Sequence, residues 1–209
     1  NVSTRATMND LNTQFFKVGG AKPMPCAGHV LIADPFISED CFNHGVVSLI
    51  DYLPEEGTTG VVLNNRTEYK LGELLDGIDS SIEIPVFCGG PLGQDRLYFI
   101  HTLGQNIIPK ARRYADGLYI GGDFEAAERY VNQGYPTEGC IRFFIGYSSW
   151  AEGQLEHEIM NEQWVNMKFP LSPDDIITGA GDRFWHRFVG YLGSAYRTWS
   201  LLPRNAVCN

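Results

Sequence analysis

The chain has 209 residues, 44% apolar and 20% charged, which fits one globular domain with a real core and excludes a disordered or low-complexity protein. Lys and Arg number 16 against 25 Asp and Glu, so the formal charge is −9 and a polyanion such as duplex DNA meets net repulsion. No apolar run approaches the roughly 18 residues of a membrane span. The five cysteines, Cys26, Cys41, Cys88, Cys140 and Cys208, are odd in number, widely spaced and without a CxxC pair. That is neither a zinc ribbon nor a disulfide framework. With no basic-then-apolar leader at the start, the expected setting is the reducing cytoplasm.

In chain order, residues 1–27 read as a flexible leader whose Phe15 and Phe16 dock on the core, and residues 28–209 as a single domain. A strand runs over 29–33 and stops at Asp34-Pro35. The next, 45–52, places Val46, Ser48, Ile50 and Tyr52 on one face and Val47, Leu49 and Asp51 on the other. Turn chemistry at 53–57 returns the chain along 58–63 as an antiparallel hairpin. A helical turn at 71–75 and short strands at 86–88, 97–102 and 118–120 follow. Asp123 caps a helix reaching about Gln133, with Phe124, Ala127, Tyr130 and Val131 as its apolar stripe. Residues 140–147 form the strongest strand, with Ile141, Phe143 and Ile145 facing away from Arg142 and Phe144. Ser149-Trp150-Ala151-Glu152 has capping-box spacing, which predicts a helix over 150–161 that buries Leu155 and Ile159 across that strand. Ser172-Pro173-Asp174-Asp175 starts another helical segment, and Trp185, Phe188, Val189 and Leu192 line a last helix stopped by Gly193. A hairpin, short strands and scattered helices define an α+β domain with a mixed, largely antiparallel sheet.

Few residues assemble a chemistry. Gly146-Tyr147-Ser148-Ser149-Trp150 has the spacing of a hydrolase nucleophile elbow, but Trp150 stands where the last glycine belongs, and Ser149 reads better as a cap. A triad would need His101 or His157 beside Ser148. His29, His44, His101, His157 and His186 form no H-x-x-x-H pair, so neither metal nor cofactor is expected. The pairs Gly89-Gly90 and Gly121-Gly122 read as tight turns. Glu152, Glu156, Glu158 and Glu162 read as a solvated helix face, and Lys110, Arg112 and Arg113 as a basic loop. No helix pair carries a basic recognition face.

Several segments in this order, 28–35, 45–50, 60–64, Gly89-Gly90-Pro91, 97–101, 117–123, 142–150 and Trp164, resemble the YqgE/AlgH family of bacterial proteins. The resemblance runs over roughly 26–209. It implies an α+β fold whose bent or bifurcated sheet approaches a small barrel around helices. It also implies the family's usual label of transcriptional regulator, without a catalytic residue set. Two readings of function follow. The first is a non-enzymatic regulatory or interaction protein acting through a protein partner, with no direct DNA binding and no membrane. The second is a small-ligand binder or hydrolase with a pocket near Asn64, His101 and Ser148. The candidate ligand or partner site is Asn64, Gly89, Gly90, Pro91, His101, Ser148 and Trp150.

Overall fold

The β-branched and aromatic runs pair into one sheet in a computed structural model that describes residues 23–168 and 172–204. Its strands are β1 (Val30–Ala33), β2 (Val46–Leu53), β3 (Gly57–Val62), β4 (Arg66–Lys70), β5 (Pro85–Cys88), β6 (Leu92–His101), β7 (Arg112–Ala115), β8 (Leu118–Ile120), β9 (Ile141–Trp150) and β10 (Trp164–Met167). The helices are α1 (Leu71–Leu74), α2 (Phe124–Asn132), α3 (Gln154–Met160) and α4 (Gly181–Tyr191), with 3-10 turns at Pro173–Ile177, Ser194–Tyr196 and Trp199–Leu201. None of these helices is long and apolar enough to cross a membrane. The expected docking of Phe15 and Phe16 lies outside the described residues.

The main path is β10-β1-β2-β3-β9-β6-β8-β7, and β5 joins β4 to β9. The sheet forks at β9. Its early residues Phe143 to Ile145 pair in parallel with β5, while its late residues Ser148 to Trp150 pair with β3 on the same side. Every other pairing is antiparallel, including the expected β2–β3 hairpin. The sheet is not closed by a backbone ladder. Side chains draw its far ends together instead: Tyr114 on β7 shares a hydrogen bond with Ser48 on β2 (3.1 Å), and Arg112 grips Asp51 with two bonds.

Three cores pack on this curled sheet. The largest gathers Val46 and Ile50 of β2, Phe144 of β9 and Tyr114 of β7 around Trp185, Phe188 and Val189 of α4. A second sets Phe99 and Phe143 against Ala127, Tyr130 and Val131 of α2. The third sets Val47, Leu49 and Trp150 against Leu155 and Ile159 of α3. The alternation read in residues 45–52 and 140–147 therefore sends opposite faces into different cores, as expected. The Asp123 cap is also present, its carboxylate accepting from Ala126 N at 3.0 Å.

Four expectations need correction. Trp150 does not open a helix; β9 runs on through Ser149 and Trp150 because β3 supplies a hydrogen-bonding partner there. Ser149 is thus an exposed strand residue and caps nothing, and α3 begins after Gly153 in the left-handed region (φ +70°). Consequently Leu155 and Ile159 pack beside Trp150 and β2, while Phe143 meets α2. Finally, Arg112 and Arg113 lie on strand β7 and not in a loop, each paired to an aspartate.

Candidate functional site

Asn64, at the end of the β2–β3 hairpin, is 3% exposed and fully engaged. Its Oδ1 accepts from Val46 N (2.9 Å), and its Nδ2 donates to the carbonyls of His44 (2.9 Å) and Gly181 (3.0 Å). One amide therefore ties the start of β2 to the first residue of α4. Arg142 works beside it, donating to the carbonyls of Leu63, Ile177 and Gly179.

His101 sits elsewhere, at the end of β6. It is buried, stacks on Tyr119 and donates from Nε2 to the Gly121 carbonyl (3.1 Å). Burial pulls its pKa below the usual imidazole value, with the Gly121 bond opposing. Ser148 belongs to a third network. Its Oγ is buried and donates to the Gly89 carbonyl (3.1 Å). Gly90 lies against the same stretch of β9: a Cβ there, at φ +152°, would sit 2.3 Å from the Tyr147 carbonyl. That close approach, not ligand binding, accounts for the glycine pair. Ser148 lies within a strand, so the geometry of a strand-to-helix elbow is absent. His157 bonds Asn161 and is not drawn to Ser148. Asn64, His101 and Ser148 thus hold separate stations. Cys41 is no activated nucleophile either, since burial first and then Cys88 push its thiol up to about 11.

Pro91 and Trp150 do meet at a cavity, a groove of about 550 Å³. Its walls are the 34–42 loop, the start of β6, the end of β9, α3 and the turn into β10. Phe42, Trp150 and Trp164 form an aromatic cluster beneath it, with Phe42 edge-on to Trp164 (5.4 Å) and Trp150 edge-on to Trp164 (6.0 Å). Glu158 locks that cluster by accepting both indole N–H groups, at 2.8 and 2.9 Å. Carboxylates of Asp34, Glu39, Glu158 and Glu162 line the groove, and no Lys, Arg or His lines it. Glu158 is therefore more than a solvated face, as is Glu156, which accepts from Tyr52 OH at 2.7 Å. The groove was hidden in the sequence because Phe42 and the two tryptophans come from segments that only the sheet brings together. The useful sign was a glutamate flanked by two tryptophans, Trp150 and Trp164, whose indole N–H groups need acceptors when buried.

The described residues also gather one set of metal-ligating side chains, His44, Asp182 and His186. Asp182 and His186 are four apart on α4, a spacing of one helical face. His44 is remote in sequence, which is why a search for local His spacing missed the set.

Comparison with known proteins agrees with this architecture. The chain is 40% identical over 194 residues to a UPF0301 protein of Parabacteroides distasonis, covering 93% of this chain and 96% of that one. It is 37% identical to a UPF0301 protein of Bacteroides fragilis, covering 93% and 97%. Two solved structures share the fold. One is a Corynebacterium diphtheriae protein (TM-score 0.65, 24% identity, 87% of this chain and 94% of that one). The other is the AlgH protein of Pseudomonas aeruginosa (TM-score 0.65, 22% identity, 92% of this chain and all of that one). A family model described as AlgH-like matches residues 30–197, and with relatives of this identity and coverage the chain belongs to that YqgE/AlgH family.

Proposed function

We propose that this protein is a non-enzymatic interaction protein whose groove receives a Lys- or Arg-bearing segment of a protein partner. The observation that carries the reading is the groove's composition: an aromatic cluster under four carboxylates, with no cationic side chain in the lining. Cations are attracted both to carboxylates and to aromatic faces, and such contacts gain strength when water is excluded. The same acidic lining repels phosphate, so an effect on transcription runs through a partner and not through DNA. A cytoplasmic setting suits the thiols of Cys26, Cys41, Cys88 and Cys140, which stand free. The small-ligand or hydrolase reading has less support, because its three residues occupy separate hydrogen-bond networks.

The test is a tryptophan-fluorescence titration with an oligolysine peptide, with an oligoglutamate peptide and duplex DNA alongside. Salt-sensitive binding of oligolysine alone is expected. Reversing the exposed rim charge with Glu39→Lys should weaken it roughly three- to tenfold. Binding of the DNA at physiological salt, or oligolysine binding untouched by Glu39→Lys, refutes the reading.

A further inference from the structure

Away from the groove, and sharing no residue with it, one corner of the molecule concentrates histidine and carboxylate where α4 begins. His44 Nδ1 lies 2.5 Å from Asp182 Oδ1, and His186 Nδ1 lies 3.2 Å from Asp182 Oδ2. One ligand atom from each of the three side chains falls within 4.8 Å of the others. His44 reaches this position from the loop before β2 in the left-handed region (φ +51°), a conformation that a residue with a β-carbon seldom adopts. Its side chain is wholly buried, stacked on Trp185 at 3.8 Å, and its Nε2 has no hydrogen-bond partner. The ring's polar anchor is therefore Asp182. Asn64 fixes the two halves of the cluster to each other, because its Nδ2 donates to the carbonyls of both His44 and Gly181.

A buried imidazole, a second imidazole and a carboxylate, held on a pinned frame from remote parts of the chain, form a donor set for a metal. We propose that His44, Asp182 and His186 bind a divalent transition-metal ion of the zinc type. Two nitrogens and one oxygen suit zinc, cobalt or nickel, whereas calcium and magnesium favour all-oxygen shells. Three protein ligands leave a fourth position to water. Asp182 (39% exposed) and His186 (28% exposed) give the ion a path from solvent. Two features oppose a cation, namely the positive end of α4 and Arg204, whose charge acts on His44. Asp182 supplies the only negative charge of the set, so its loss should be the most damaging.

The experiment is calorimetric titration of the reduced, full-length chain with zinc chloride and, separately, cobalt chloride. Each metal should bind one ion per chain and raise the melting temperature. His186→Ala and Asp182→Asn should each weaken binding by at least the roughly 10- to 100-fold that even an outer-shell loss costs. A Cys41→Ser/Cys88→Ser variant should bind as the parent does. The inference is overturned by no binding at millimolar metal, by full binding in both His186→Ala and Asp182→Asn, or by loss of binding in the thiol variant. Should either site variant fold poorly without metal, nitrogen-15 spectra of the parent decide. Zinc must shift the ring signals of His44 and His186 and leave His157 in place; shifts confined to other groups refute the site.

Discussion

Replacing Arg142 tests how the fold holds α4 in place. Arg142 lies on β9, 4% exposed, and donates from Nη1 to Leu63 O (2.7 Å) and from Nη2 to Ile177 O and Gly179 O (both 2.8 Å). The guanidinium also sits over the Phe87 ring at 4.1 Å. Burial pushes its pKa down to about 10, so it remains cationic at neutral pH. Its nearest carboxylate, Glu138, is 3.7 Å away and well exposed, so carbonyl dipoles are the main partners of this charge. Two effects compete in Arg142→Met. Removing a buried charge can stabilise a protein by about 1–4 kcal/mol. Orphaning three carbonyls costs about 1–3 kcal/mol each. The carbonyls outweigh the charge because no other donor is placed to satisfy them, and the net is a loss of about 3–5 kcal/mol. That is a large part of the roughly 5–15 kcal/mol that holds a domain folded. Urea melts followed by tryptophan fluorescence should show the midpoint falling at constant slope. Arg142→Lys should also lose stability, because an ammonium cannot reproduce the planar fork. A Met variant as stable as the parent, or more so, would refute the reasoning and mean that desolvation dominates.

Ser149→Ala should stay within about 0.5 kcal/mol of the parent in the same melts, since Ser149 is an exposed strand residue opposite Thr59. A loss near 1 kcal/mol or more would restore its reading as a helix cap. His101 should make stability depend on pH in a defined direction. Its folded pKa lies below the usual value of about 6.5, so on acidification the unfolded chain takes the proton first. The stabilising contribution is complete above about pH 6.5 and is lost as pH falls from there toward the folded pKa. His101→Gln should flatten that part of the stability curve, and superimposable pH slopes for the two proteins would contradict it.

Local periodicity made much of this fold legible. The two-residue alternation in 45–52 and 140–147 placed Val47 and Val46, and Phe143 and Phe144, in different cores. The Asp123 cap and the Trp185–Phe188–Val189 stripe identified α2 and α4. These patterns are written within a few residues of each other, so no partner is needed to read them. The region after Ser148 was misread for the converse reason. Ser149 to Glu152 has the spacing of a helix start, yet β3, about ninety residues earlier, offers it a ladder, and tertiary pairing overrides propensity. Strands β4, β7 and β10 were likewise invisible, being short and partly charged and ordered by neighbours distant in the chain. The sequence by itself determined the α+β class, the family, and which residues turn inward. Only the tertiary structure decided the sites. The groove needs Phe42 brought to Trp150 and Trp164, and the His44–Asp182 contact spans 138 positions, a proximity that no local spacing encodes.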